Sequence, residues 1–273
     1  MGLLVWVLSL LFFPETSQPG ARGVDELRLK EGVHWRERFV FVNPLLPLAL
    51  LRSPNLFLVA IITFTTSLSV FVLLVPLVYT IGVRYSIKNE AILGLCFLPS
   101  GLGCIAGAQI IGRVSDRTVI KWRRRRNGVW YLEDRLRAAL IPFGVVTPLA
   151  VLGFGIANQF IDGNVGLALC LFGLFMAGAG IEMCFGPCAA NLVDVMHTRS
   201  AESLGANNGL RTGLVAFGIS GVVPIMDAYG VAWTNAASAA LIWIAFGILI
   251  CVIRYGEQMR AWVEVGFSTA DNH

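Results

Sequence analysis

The chain has 273 residues, of which 56% are hydrophobic and 14% charged, against roughly 25% charged for a soluble globular domain. Its net charge is +4, with 21 basic residues against 17 acidic. The apolar residues come in runs of about 20 or more, long enough to cross a hydrocarbon core of about 30 Å, so a soluble fold is excluded and an all-α integral membrane protein is expected.

In chain order, Gly2 to Phe13 is an apolar run of about 12 residues, too short to span alone. It has neither a preceding basic residue nor a following small-x-small cleavage site. Residues 1–13 therefore read as the tail end of a transmembrane helix whose beginning is missing. Residues 14–54 follow as a polar linker. Six full spans are predicted: Asn55 to Tyr79, Ala91 to Ile111, Leu140 to Ala157, Val165 to Leu192, Gly209 to Met226 and Val231 to Ile253. They make a bundle over residues 55–253 with a basic loop at 112–139, and residues 254–273 form a polar tail.

Lysine and arginine set the orientation. Six precede the first full span (Arg22, Arg28, Lys30, Arg36, Arg38, Arg52) and nine lie between the second and third, whereas Arg84 and Lys88 alone fall in the opposite loops. The linker at 14–54, the basic loop at 112–139, the tail at 254–273 and both termini are expected in the cytoplasm. The run Lys121 to Arg126 holds five basic residues in six; placed between spans it is a topology determinant with some attraction for acidic headgroups, and nucleic acid is not an expected partner.

Gly101, Gly103, Gly107, Gly173, Gly178 and Gly180 supply small faces for close helix packing. Prolines at 76, 99, 142, 148, 187 and 224 interrupt the spans as they would around a cavity. The six cysteines (Cys96, Cys104, Cys170, Cys184, Cys188, Cys251) all lie in apolar runs and read as small buried hydrophobes. Cys184 and Cys188 share a helix face, but His34, His197 and His273 lie outside the spans, so no metal set forms. No cofactor is expected, and no G-x-x-x-x-G-K-[ST] string supports ATP hydrolysis.

At the end of the second full span stands Gly112-Arg113-Val114-Ser115-Asp116-Arg117. Physically, Gly112 lets the helix end abut a neighbour. Asp116 can accept from helix-end amides or a basic side chain, and Arg113 and Arg117 can pair with carboxylates on a facing helix, biasing two arrangements of the bundle. The string resembles the G-x-x-x-D-R signature of the major facilitator superfamily, in the loop after its second or eighth helix. The flanking glycines resemble the eighth helix of the fungal drug:proton antiporter branch.

Three more stretches resemble that branch. Pro14-Glu15-Thr16 is similar to the P-E-T after its sixth helix, although Ser-Gln follows here in place of Leu-Arg. Glu133-Asp134-Arg135-Leu136 is similar to the E-D-R-L before its ninth helix, where Arg135 between acids joins a charge cluster with the motif above. Ala206-Asn207-Asn208-Gly209-Leu210-Arg211 is similar to the A-x-N-N-x-x-R opening its eleventh, with Asn207 and Asn208 as caps and Arg211 one turn in. The resemblance implies helices seven to twelve of a twelve-helix fold.

Candidates for substrate or proton contact are Glu182, the only carboxylate well inside a predicted span, then Gln109 and the hydroxyl-rich stretch Thr63, Thr65, Thr66, Ser67 and Ser69. The hydroxyls either line a cavity or bond back to their own helix. With no histidine in the spans, no reaction class suggests itself. The alternatives to a transporter are a receptor-like bundle and an embedded enzyme. The resemblance implies a secondary transporter of small molecules, working by alternating access in exchange for protons in the plasma membrane. Its expected partners are the small-molecule substrate, protons, the lipid bilayer and the missing N-terminal six-helix half, and the chain alone is expected to transport poorly.

Overall fold

The computed structural model describes residues 2–12, 46–85, 87, 89–196 and 200–261. Two units are distinguished, Met1–Leu46 and Pro47–His273. In the first, α1 (Gly2–Phe12) is a helix of 11 residues. Pro14-Glu15-Thr16, the three histidines and most of the polar linker and tail lie outside the described residues.

The second unit is a helical bundle. Its α-helices are α2 (Pro54–Leu74), α3 (Glu90–Leu95), α4 (Leu98–Arg125), α5 (Thr147–Phe160), α6 (Gly163–Val195), α7 (Ser200–Tyr229) and α8 (Val231–Ala261). Together with short adjoining turns they build six segments long and apolar enough to cross a membrane: Pro54–Gly82, Glu90–Arg125, Leu132–Phe160, Gly163–Val195, Ser200–Tyr229 and Val231–Met259. All six predicted spans are present, and an all-helical membrane architecture follows.

Local chemistry explains the boundaries. α2 starts with extended Ser53 followed by Pro54 in the first turn, where the missing N–H costs nothing. α3 is capped by Asn89, whose side chain accepts from the Ala91 amide at 2.9 Å. α7 and α8 are separated by Gly230 alone, at φ +84°, a left-handed angle that glycine adopts without strain. Pro76 precedes one π-helical turn, Val78–Gly82, and Pro142 opens another, Pro142–Val146. Both prolines remove a backbone donor and locally widen the helix.

Three boundaries differ from expectation. α4 does not stop at Ile111 but runs to Arg125, so the first half of the expected loop 112–139 is helix. Arginine and lysine are good helix formers, and three arginines in the last turn complement the helix dipole. α7 begins at Ser200 rather than Gly209. α8 continues to Ala261, which makes the start of the expected tail helical.

α4 packs along α6 as the most extensive helix pair. α8 packs on α2 and α5, α5 also on α6, and α2 on α7. Backbone contact sets the α4–α6 distance: a Cβ at Gly103 would overlap the Phe175 carbonyl, one at Gly107 the Ala179 carbonyl, and one at Gly178 the Ser100 carbonyl. The core between these helices holds Phe143, Phe154, Leu73, Leu77, Leu174, Leu192, Ile242 and Leu249, all under 2% exposed. Burial is uneven. Of the apolar window of Pro54–Gly82, 61% is buried, against 22% for Glu90–Arg125 and 17% for Ser200–Tyr229.

Candidate functional site

Most of the described basic residues gather at one end of the bundle, where α4 finishes, α5 is approached and α6 finishes. Asp194 lies in the last turn of α6, where the helix dipole disfavours a carboxylate. Arg135 offsets this: its Nε donates to Asp194 Oδ2 at 2.5 Å, while its Nη1 stands 3.9 Å from Asp116 Oδ1. One guanidinium thus ties the end of α6 to the motif on α4. Asp194 is 13% exposed and Asp116 74% in their side chains, so the first pair is the desolvated and stronger one.

A second cluster adjoins it. Asp134 is 1% exposed and accepts from Arg126 at 2.7 Å and Arg137 at 3.1 Å. Both arginines stack on Trp122, Arg137 at 4.0 Å and Arg126 at 5.2 Å from the ring centre, and Arg126 also covers Tyr131 at 4.6 Å. Two cations around one buried carboxylate, spread over one indole and one phenol ring, tie together the turn between α4 and the stretch leading to α5. Glu133 is also buried.

The structure thus brings Asp116, Asp134 and Arg135 together at this end. Arg113 and Arg117 do not pair with a facing carboxylate. They are exposed on α4, no ion pair holds them among the described residues, and it is Arg135 that stands beside Asp116. Gly112 does not abut a neighbour, since a Cβ there meets nothing within 4 Å.

Asn207 and Asn208 are not caps. With α7 starting at Ser200 they sit two turns in, where Asn207 is buried and its Oδ1 accepts from the Thr63 hydroxyl at 3.2 Å, while Asn208 is exposed. That hydroxyl shares its hydrogen with the Ala60 carbonyl at 3.0 Å. Arg211 lies three turns in, with its guanidinium over the Phe185 ring at 4.6 Å. It also feels the charge of Glu182, one turn before Phe185 on α6, which supplies the intramembrane acid with a neighbour of opposite sign.

Thr66 and Ser67 do not line a cavity. They are buried on α2 and donate to the Ile62 and Thr63 carbonyls at 2.8 and 3.0 Å; Thr65 and Ser69 do the same to Ile61 and Thr65 at 2.9 and 2.8 Å. Threonine and serine in apolar surroundings satisfy themselves on the preceding turn. Thr66 additionally meets the Cys184 sulfur at 3.4 Å. Gln109 is exposed on α4. Glu182 does line a cleft of about 220 Å³ that reaches Asp116 and Arg135.

At the opposite end, Arg84 donates to the Gln159 carbonyl at 3.0 Å and to Asp162 at 2.7 Å. Tyr85 donates to the Ile161 carbonyl at 3.3 Å, and Gln159 Oε1 accepts from the Ala232 amide at 2.7 Å. These contacts join the end of the first span to the α5–α6 turn and the start of α8. Burial raises the Tyr85 phenol above its ordinary pKa, with the neighbouring Cys170 adding to the effect.

The chain is similar over 94% of its length, at 23% identity, to the MFS transporter OpS2 of Beauveria bassiana (strain ARSEF 2860), covering 79% of that protein. It is 24% identical to the MFS transporter cpaT of Aspergillus oryzae, over 94% of this chain and 53% of the relative. It is 26% identical to the MFS-type transporter tndD of Aspergillus flavipes, over 87% and 44%. With cpaT and tndD the chain thus matches about half of the relative's length. No protein-family profile matches the chain, and no solved structure matches it. These relatives are transporters and not enzymes, and the chain's similarity to the MFS transporters is distant.

Proposed function

We propose that the chain is a six-helix bundle of a major facilitator-type secondary transporter that moves small organic molecules across a membrane by alternating access. The observation that carries this reading is the pairing of Arg135 with Asp194 and Asp116, which joins α4 to α6 at the basic end. The Asp116 side of this pairing is long and solvent-exposed and so breaks and re-forms at modest cost, as a gate must.

In this reading the basic end is cytoplasmic, the host membrane is the plasma membrane, and Glu182 carries protons exchanged for an amphipathic substrate in the manner of a drug antiporter. Gln109 faces the transport path. The sparsely buried faces of α4 and α7 receive a second six-helix bundle, which would close the path between the two. Asp116, Glu133, Asp134 and Arg135 act as gate residues, with Gly112, Arg113 and Arg117 around them, and Asn207, Asn208 and Arg211 orient α7.

The test is Arg135→Ala in the complete protein reconstituted in vesicles. Solute movement is expected to fall at least about tenfold, the scale of a lost charged hydrogen bond, while binding of the same solute persists. Unchanged movement would overturn the gate.

A further inference from the structure

Glu182, Gly186, Ala190 and Asp194 follow one another at four-residue steps along α6 and so share one helix face. At about 1.5 Å per residue the two acids stand about 18 Å apart along the axis. Between them Gly186 and Ala190 leave little side chain, and Gly112 faces this stretch from α4. Unlike Gly103 and Gly107, which are pressed against the α6 backbone, Gly112 has open space where a Cβ would stand. The result is a groove of about 220 Å³ with Glu182 at its deep end and Asp116 and Arg135 at its mouth.

Small residues alone would only indicate loose packing. Ser115, however, lines the same groove, is 6% exposed, and its hydroxyl has no hydrogen-bond partner. A hydroxyl buried without a partner costs about 1–3 kcal/mol, and water entering the groove, which Asp116, Arg135 and Glu182 also line, would satisfy it.

We propose that this groove is a hydrated path by which protons reach Glu182 from the basic end of the bundle. Hydronium at the deep end gives its proton to the Glu182 carboxylate and leaves as water. The carboxylate becomes a neutral acid, and Arg211 loses its counter-charge. The charged and titratable groups that face Glu182 are Cys104 from α4 and Arg211 from α7. Asp116 and Arg135 stand at the mouth, with Asp194 bonded to Arg135 behind it, and Cys184 and Cys188 follow on α6 itself. α2 and α5, which also pack on α6, carry no charged residue. Ser115 supplies the one fixed hydroxyl along the way.

The proposal deepens the transport reading, and its test requires no transported solute. The complete protein is placed in lipid vesicles at low pH, and the infrared band of the Glu182 carboxylic acid is assigned by difference from Glu182→Gln. Its exchange after transfer to heavy water is then timed. The band is expected to exchange promptly in the unmodified protein and about tenfold more slowly in Ser115→Ala, the scale of one hydrogen bond removed from the path. Gly112→Leu, which fills the groove, is expected to slow it further. Ser115→Ala breaks no bond within the protein, so its stability should be unchanged or raised and it decides the matter even where the leucine variant does not fold. A Glu182 band that fails to exchange in the unmodified protein, or exchange unaltered by Ser115→Ala, would overturn the path. Neither result bears on whether the protein moves a solute.

Discussion

Arg135 and Asp194, 59 residues apart in sequence, meet at 2.5 Å between the approach to α5 and the last turn of α6. Asp194 is nearly buried while Asp116, the other acid near Arg135, is largely exposed. The first pair is therefore the tighter tie between the approach to α5 and the end of α6, and the second is the more easily exchanged one.

Arg135→Ala leaves Asp194 without its partner at an unfavourable helix end and is expected to cost about 1.5–3 kcal/mol. Asp116→Asn should cost under about 1 kcal/mol because that pair is long and solvated. Thermal unfolding in detergent, compared across the two variants, checks the order.

Asp134→Asn removes a carboxylate that serves Arg126 and Arg137 together. A loss of about 2–3 kcal/mol is expected, tempered because both arginines can turn to water. Trp122→Ala should cost less, about 1 kcal/mol, since it removes only the stacking beneath them. Chemical unfolding followed by circular dichroism separates the two.

At the α4–α6 contact, Gly107→Val places a side chain against the Ala179 backbone, and overpacking of this kind costs about 1–3 kcal/mol or more. Gly112→Ala, in open space on the same helix, should be tolerated or slightly stabilising, since alanine is the better helix former. Monodispersity after purification and melting temperature report both.

Tyr85 gives a pH dependence at the opposite end. Its folded pKa is raised by burial above the unfolded value, so the folded state favours the neutral phenol. That contribution is complete below a pH of about 10 and is lost as pH rises through the folded value. Tyr85→Phe should flatten the alkaline limb of a stability-against-pH curve, and an unchanged limb would count against the assignment.

The spans were legible because lipid leaves the backbone no alternative to helix, so length and hydropathy suffice. Their ends were less so. A basic stretch such as Lys121 to Arg125 looks like a loop when hydropathy is the guide, yet arginine is a good helix former and here extends α4. The same effect hid the start of α7 and turned Asn207 from an expected cap into a buried partner of Thr63.

Asp194 went unnoticed because its partner is far away in sequence. Its signal was an acid at the wrong end of a long helix, which must find a cation. Trp122, set among five basic residues, carried a comparable signal, since arginines gather on aromatic faces.

The most direct measurement is solute movement into or out of vesicles containing the complete protein under an imposed pH gradient. Gradient-driven movement of a small amphipathic organic molecule is expected, lost in Glu182→Gln and sharply reduced in Arg135→Ala. Folded protein that moves none of a broad panel of such molecules, or moves them equally well without the gradient and without Glu182, would contradict it.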